Sequence, residues 1–548
     1  MKYLRSGGQW LVLLLALGGA VPVRAQSPND ASFLVTLGEL REATYSDKAS
    51  IVERLSKGGH PSVRPVLTAL MEDRLYYRNV DQKVFIAKVA DSDPLNLIDP
   101  LSLKDAGSVP ADSLTKIGTN NGLRSVLRTT VAHFALSSPD VSERLDAARE
   151  MSKSLDEPTV AFLRERLGVE TNSSVKREIA MALALATLEG SDSGARLGAI
   201  ATLSQSVSQD VRNRLALLLD KSPDGSFAES DEKVRSAAAK AVGKIDAWRS
   251  FYGGIETLFF GLSLGSVLVL IAIGLAITFG VMGVINMAHG ELMMLGAYTT
   301  YVVQTVMPEH IGISILAAIP AAFIVAGLAG VVMERTIIRF LYGRPLETLL
   351  ATFGVSLILQ QSVRSIFSAN NRSVVTPDWM SGSLRLNDAL SITYNRLYIV
   401  IFTAIVFSLI LLVLKRTRLG LDIRAVSQNR PMAKAMGIRT EWVDAMTFGL
   451  GSGIAGVAGV ALSQLTNVGP DLGQSYIIDS FMVVVFGGVG SLWGSLIGGM
   501  SMGIVNKLLE PYAGAVLAKI FVLIALILFI QRRPRGLFPQ TGRAAEDK

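Results

Sequence analysis

The sequence predicts an all-α protein: a polytopic transmembrane helical domain preceded by an exported helical domain. Three observations carry that expectation. Half of the 548 residues are hydrophobic, and the mean hydropathy of +0.40 is high for a water-soluble chain. The apolar residues are segregated, with residues 26–250 charged and the stretch from about Ile255 to Gln531 dominated by Leu, Ile, Val, Gly, Ala and Met. A short basic-then-apolar leader opens the chain.

The leader is residues 1–25. Lys2 and Arg5 give a positive start, and Trp10 to Val21 form an apolar run about a dozen residues long, against the roughly 20 that a spanning helix needs. Val23 and Ala25 make a small-x-small cleavage pattern before Gln26. An uncleaved anchor is the alternative. Both need export, and cleavage would place residues 26–250 outside the cytoplasm.

Residues 26–250 read as helical throughout. "VSERLDAAREM" (141–151), "VKREIAMALA" (175–184), "ARLGAIATL" (195–203) and "KVRSAAAKAVGKI" (233–245) share Val or Ala, a nearby Arg, and alanines at helical spacing. Each makes one apolar stripe. Stacked helix pairs of the HEAT or armadillo kind cover such stripes with their neighbours; an ordinary helical bundle is the alternative. Asp91 to Ala111, with three prolines, reads as a loop or linker, as does 222–232. His60 and His133 stand alone, without metal-ligand partners.

The second half, residues 251–540, alternates apolar spans with polar gaps. About nine spans are expected, near 256–282, 286–306, 312–334, 346–368, 397–414, 445–467, 477–489, 494–508 and 514–531. Basic residues cluster in alternate gaps: Arg335, Arg339 and Arg344; then Lys415, Arg416, Arg418, Arg424, Arg430, Lys434 and Arg439; then the tail after Gln531. By the positive-inside rule these gaps are cytoplasmic. An outside start, an odd number of crossings and a cytoplasmic tail at 541–548 then agree, which is the arrangement of a multi-pass bacterial inner-membrane protein. The net charge of +7 lies largely in these gaps, so nucleic acid is rejected as a partner in favour of membrane lipid. The chain has no cysteine, which excludes disulfides and Cys-based metal or redox sites. No convergent nucleophile, base or ligand set is present, so no catalytic residue, cofactor or metal site is expected.

Three stretches carry more than hydrophobicity. In "NMAHGELMMLGAY" (286–298), Asn286 is placed to cap the second span. His289 and Glu291 fall on different faces, about 200° apart. An ionised carboxylate at mid-bilayer costs about 3 kcal/mol, so Glu291 is expected at the inner rim or lining the interior of the bundle, and His289 near the cytoplasmic mouth with it, as gate or packing residues. In "RLGLDIRAVSQNRPMAKAMGIRTEWVDAMTFGLG" (418–451), Pro431 suits the first turn of a short helix and Gly437 its end. Arg424, Ala425, Asn429, Pro431, Ala435, Met436 and Gly437 would form a loop that docks into a partner's groove; a solvated basic loop is the alternative. In "VVVFGGVGSLWGSLIGGMSMG" (483–503), Gly490, Gly494 and Gly498 are four apart, a spacing that lets helix backbones approach closely in lipid. No Lys follows these glycines, so they make no P-loop, and none occurs elsewhere. Gln304 and Gln464 are further pathway candidates near outer helix ends.

"VINMAHGELMMLGAY", "RAVSQNRPMAKAMGI" and "VVVFGGVGSLWGSLIGG" resemble, in family order, the signature stretches of the LivH-type permeases, the membrane subunits of branched-chain amino-acid ABC importers. "TTYVVQ" (299–304), "GRPLETLLATFGVSLILQQSVR" (343–364) and "NVGPDLGQSYIIDSFMVVVFGG" (467–488), with the exported extension, resemble the urea-transporting branch of that family most closely. The resemblance implies a transport subunit rather than an enzyme. It implies as partners separate ABC ATPase subunits, a second related permease and a periplasmic solute-binding protein, and urea or short amides as cargo. A branched-chain amino-acid permease and an ATP-independent channel or facilitator are the alternatives.

Overall fold

The computed structural model describes residues 28–221 and 227–538. The leader at 1–25 and the tail at 541–548 lie outside the described residues. The chain divides into two compact units. One holds the chain up to Ser206 together with Asn213–Val242, and the other holds Val207–Arg212 with everything from Gly243.

The first unit begins with helices α1 (Pro28–Glu39), α2 (Tyr45–Lys57) and α3 (Val63–Met71). Five short strands follow: β1 (Leu75–Arg78), β2 (Val84–Ala87), β3 (Leu95–Ile98), β4 (Asp105–Val109) and β5 (Leu114–Lys116). They form one antiparallel sheet in the order β4-β3-β2-β1-β5. This corrects the all-α expectation, and it corrects the reading of Asp91 to Ala111 as a loop, since that stretch holds β3 and β4. The three prolines there, Pro94, Pro100 and Pro110, flank the strands rather than interrupt them, which is where a residue without an N–H is tolerated.

Six helices come next: α4 (Asn121–Ala135), α5 (Val141–Met151), α6 (Glu157–Val169), α7 (Ser173–Thr187), α8 (Ser193–Leu203) and α9 (Gln209–Leu217). The alanine-rich stretches do form helices, with Ala147, Ala148, Ile179, Ala182, Ile200 and Leu203 buried. Two buried arginine–carboxylate pairs close the joints between them. Arg144 donates to both carboxylate oxygens of Glu170 at 3.0 and 3.2 Å and to the carbonyls of Ser138 and Pro139. Glu170 also accepts from the N–H groups of Thr171 and Asn172, and Asn172 caps α7. The arrangement recurs downstream. Arg196 pairs with Glu229, whose carboxylate accepts from the Asp231 N–H, and Asp231 in turn accepts from the N–H groups of Lys233 and Val234. The repeated unit is therefore an acid that anchors the turn before a helix and holds an arginine from an earlier one.

The second unit is the apolar one. Its helices are α10 (Glu232–Met282, entering from the first unit), α11 (His289–Val306), α12 (Ile311–Thr336), α13 (Pro345–Phe367), α14 (Tyr394–Arg416), α15 (Arg418–Gln428), α16 (Arg430–Ala435), α17 (Thr440–Ser463), α18 (Leu472–Gly487) and α19 (Leu492–Arg532), with a hairpin of β6 (Ser383–Asn387) and β7 (Leu390–Thr393) before α14. Among the described residues six helices are long and apolar enough to cross a bilayer: α10, the stretch Pro308–Phe340 around α12, α13, α14, α17 and α19. The expected spans 494–508 and 514–531 both fall within α19, which is broken by non-helical backbone at Gly514.

Helix α17 is the hub, with 89% of its most apolar stretch buried inside the protein. It reaches that density by backbone approach. A Cβ added at Gly296 of α11 would lie 2.0 Å from the Gly456 carbonyl oxygen, and one at Gly459 would lie 2.0 Å from that of Met293. Small residues allow such contacts, and in lipid dispersion and weak polar contacts replace the hydrophobic effect as the adhesive. Gly494 meets Gly487 in the same way, and Gly498 faces the Val483 carbonyl. Gly490 departs from the expected stripe. It lies in the turn between α18 and α19, at φ 77°, a conformation that glycine adopts without steric cost, and it is approached by Gly280 of α10.

Candidate functional site

Two places in the second unit combine chemistry with unusual geometry. The first is the α14–α17 connection. Thr417 caps α15, its hydroxyl accepting from the Gly420 N–H. Asn429 caps α16, accepting from the Met432 N–H at 2.9 Å, with Pro431 in the first turn. Gly437 follows the end of α16 at φ 87°, the left-handed stop that the sequence suggests. Ala433 turns inward against Ile423, Val426 and Val443. Leu421, Met432 and Met436 stay exposed, Met436 at 77%, and Ala435 is exposed beside them. Beside this face a groove of about 660 Å³ is lined by Arg335, Lys434, Arg439, Thr440, Glu441 and Trp442 among others.

Sequence reasoning missed the anchor of this element. Arg430 makes a two-pronged ion pair with Asp444 of α17, one arm at 3.1 Å. The same guanidinium lies 4.0 Å from the centre of the Tyr342 ring. Asp444 is buried, so α16 is fastened to the hub helix through a planar fork that matches a carboxylate. Arg424 is used differently, donating to the Leu414 carbonyl at the end of α14. Ala425 packs half-buried at the edge of the same small core.

The second place is the seam between α11 and α13. The two helices run in the same direction, as their pairings show: the Met287 N–H donates to Thr352 Oγ1 at 3.1 Å, Ser356 and Gln360 donate to Glu291 Oε1 at 3.1 and 2.8 Å, and Tyr298 packs on Phe367 at 4.8 Å. Ser356 is the midpoint of Pro345–Phe367. Glu291 therefore lies inside the bundle opposite the middle of α13, not opposite that helix's end. His289 is inside the bundle as well. It is fully buried and its Nε2 meets the Ile271 carbonyl of α10 at 3.0 Å. The physical reason is that residues 283–288 are not helical after α10 ends, so α11 starts partway along its neighbours. Asn286 does not cap α11. It precedes the helix and its Oδ1 accepts from the Ala288 N–H at 3.0 Å, ordering the turn that leads in.

Gln304 uses both ends of its amide on one loop residue, donating to the Val375 carbonyl at 2.8 Å and accepting from the Val375 N–H at 2.9 Å. Gln464 follows the end of α17 and lines an apolar groove with Ile315, Trp379, Tyr398 and Phe402. Among the described residues no group of three His, Asp or Glu side chains is arranged to hold a metal ion.

A multi-pass helical membrane bundle with a short, capped helix exposed between two spans and a polar seam between two others has the build of a transport subunit. The comparisons place it. The profile described as "branched-chain amino acid transport system / permease component" matches residues 257–530. The high-affinity branched-chain amino acid transport system permease protein LivH of Salmonella typhimurium is 32% identical over 305 residues, 54% of this chain and 97% of that protein. The corresponding BraD protein of Pseudomonas aeruginosa is 30% identical over 307 residues, 54% of this chain and 98% of that one. A probable LivH permease of Methanocaldococcus jannaschii is 27% identical over 288 residues, 50% of this chain and 88% of that protein. No solved structure matches. The chain belongs to the branched-chain amino acid transport system permease family. It is an ABC permease subunit, a multi-pass inner-membrane protein and not an enzyme.

Proposed function

We propose that this chain is one permease half of a binding-protein-dependent importer of urea or a short amide. It pairs with a second, related permease and is driven by separate ATPase subunits. The observation that carries the coupling is the α15–α16 element: a short helix capped at both ends, presenting Met432, Ala435 and Met436 outward and tied by Arg430 to Asp444 of the hub helix. An ATPase that grips that apolar face moves α17 with it. The basic residues Arg335, Arg339, Lys434 and Arg439 that flank the element support a cytoplasmic position for it and for the C-terminus, with the N-terminal domain periplasmic, by the positive-inside rule.

The urea assignment is supported by the resemblance of the stretches at 299–304, 343–364 and 467–488 and by the chemistry of the seam, whose side chains are hydroxyls, an amide and one carboxylate. A branched-chain amino acid is the second reading, favoured by the names of the relatives and by the Arg364–Asp471 pair at 2.6 Å beside the seam, charges that suit a zwitterion. The complex of this chain with its partner permease, ATPases and binding protein, reconstituted in liposomes, should take up labelled urea only with ATP. Leucine uptake without urea uptake assigns the second reading, and uptake of either without ATP defeats the coupling.

A further inference from the structure

Helix α13 carries Thr348, Thr352, Ser356, Gln360 and Arg364, a polar residue every fourth position. That spacing keeps them on one face with a slow drift around the helix. Sixteen residues of helix rise about 24 Å, against a hydrocarbon core of roughly 30 Å. Thr348, Thr352, Ser356 and Gln360 are all buried. The flanking positions Leu350, Phe353, Leu357 and Ile358 are exposed and apolar. The stripe therefore faces the protein, and for most of its length it faces α11.

The hydroxyls of Thr348 and Thr352 are satisfied by carbonyls, including those of Arg344 and Leu349, and such bonds are ordinary for a helix in lipid. The middle of the seam is not ordinary. Glu291 is 1% exposed. Its Oε1 accepts from Ser356 and Gln360, while its Oε2 is buried and, among the described residues, has no hydrogen-bond partner. Tyr298 lies seven residues on, on the same face of α11, and its buried hydroxyl also has no partner. Arg364 Nε, at the far end of the α13 stripe, is the third such atom, although the same side chain pairs with Asp471 through another nitrogen. Buried polar groups are nearly always bonded, and each one left bare costs about 1–3 kcal/mol. An acceptor and two donors are thus held without partners along one seam, at and beyond mid-helix depth.

We propose that the α11–α13 seam is a solute-binding lane within the membrane domain, with two successive stations: Glu291, which accepts from an N–H group of the cargo, and Tyr298, about 10 Å further along α11, which donates to its carbonyl or carboxylate oxygen. The ligand class is a small solute with both N–H donors and an oxygen acceptor. Urea, short amides and amino acids all meet that description, so the lane deepens the permease reading without depending on which of them is carried. Ser356 and Gln360 are positioning residues: they hold one carboxylate oxygen and leave the other free to bond. Glutamine at 291 would keep the size and one acceptor oxygen but place an NH2 donor where the lane needs an acceptor.

The test first measures which of urea and leucine the wild-type reconstituted complex takes up, and uses that cargo thereafter. Glu291→Gln should lower uptake tenfold or more at subsaturating cargo, with ATPase activity stimulated by the loaded binding protein retained. Because the chain has no cysteine, Ser356→Cys and Gln360→Cys give single thiols on this subunit. Both should react with a charged, membrane-impermeant thiol reagent and be protected by cargo, whereas Ile358→Cys on the opposite face should not be protected. Wild-type-like uptake by Glu291→Gln overturns the proposal, as does equal reactivity at 356 and 358 with no protection. A wild-type complex that carries neither solute overturns the cargo assignment instead, and thiol labelling then decides the lane without it.

Discussion

Replacing Gly296 by alanine tests the packing that holds the hub together. The added carbon would lie 2.0 Å from the Gly456 carbonyl oxygen and 2.5 Å from the Gly456 Cα. Ordinary contact begins near 3.4 Å, so α11 and α17 must part by about 1.4 Å (3.4 − 2.0). The colliding atoms are backbone, and no rotamer can relieve them. Sliding is no remedy, since Gly459 holds the Met293 carbonyl just as closely one turn along α17. A separation of that size removes a large part of the dispersion contact between the two helices, and overpacking typically costs about 1–3 kcal/mol. The upper end of that range, about 3 kcal/mol, lowers the melting midpoint by roughly 6–12 °C for a domain of this size. Gly354→Ala on α13 is the control, because a Cβ there meets nothing within 4 Å, and helix propensity alone predicts a gain of up to about 1 kcal/mol. Thermal unfolding of detergent-purified protein, followed by size-exclusion recovery, reads both. If Gly296→Ala melts within about 2 °C of wild type, the close backbone contact is not what holds α11 to α17.

Four further outcomes follow from the same geometry. Ala435→Asp with Met436→Asp should abolish ATP-driven uptake while membrane insertion, scored by protease protection, is unchanged; normal uptake would remove the docking role. Arg430→Lys keeps the charge but loses the two-pronged grip on Asp444 and the stacking on Tyr342, so uptake should fall several-fold while ATP hydrolysis continues, and tight coupling in that variant would refute the anchor. In the N-terminal unit, Arg144→Ala takes the two-pronged partner from the buried Glu170, which keeps the Thr171 and Asn172 N–H groups and Arg166 at 3.7 Å, and should destabilise the helices around it by about 3 kcal/mol, whereas Arg144→Lys, which keeps the charge, should lose less in hydrogen exchange of α5 to α7. Burial pushes the Glu170 carboxyl up, but the N–H groups of Asn172 and Thr171 and the Arg144 guanidinium outweigh it and hold it below the usual carboxylate range; the Arg196 guanidinium does the same for Glu229. A depressed folded-state value means stability that is complete above the unfolded value of about 4.3 and is lost as pH falls below it towards the folded value. Protection of α5 to α8 should therefore be flat from pH 7 to about 5 and drop below it, and a loss beginning above pH 6 would contradict the assignment.

The apolar half was legible because hydropathy reports burial in lipid directly, and because caps are local: Pro431 and Gly437 mark the ends of α16 through their own backbone preferences. The sheet was not. β1, β2 and β3 are four residues each, too short to show alternation, and β2 is buried along its whole length, so its pattern is a plain apolar run. Pairing brings Tyr76 opposite Phe85 and Ile86 opposite Ile98, and nothing local announces that. Depth was illegible for a related reason. Hydropathy marks where a span lies along the chain, whereas the depth of Glu291 is set by where α11 begins relative to α13, which depends on the non-helical run at 283–288. The i+4 polar stripe of α13 was visible in the sequence, but its significance depends on which helix it faces.

The distribution of close contacts also says which part of the bundle is free to move. Helices α10, α11, α12 and α17 are locked by backbone approach at Gly274 with Gly451, Gly296 with Gly456, and Gly456 with Ala322. The most apolar stretches of α10 and α17 are 78% and 89% buried. Helix α13 has a single glycine, Gly354, which touches nothing, and only 28% of its apolar stretch is buried. What joins α13 to α11 is mainly the polar set Thr352, Ser356 and Gln360 with Met287 and Glu291, each bond worth about 1 kcal/mol net and replaceable by a bond to solute or water. Parting α11 from α17 breaks backbone contacts that no solute can replace. Parting α13 from α11 exchanges hydrogen bonds one for one along the middle of the seam, and beyond it separates only the Tyr298 ring from Phe367. Two-state motion in this subunit is therefore cheapest along the seam that carries the bare carboxylate oxygen.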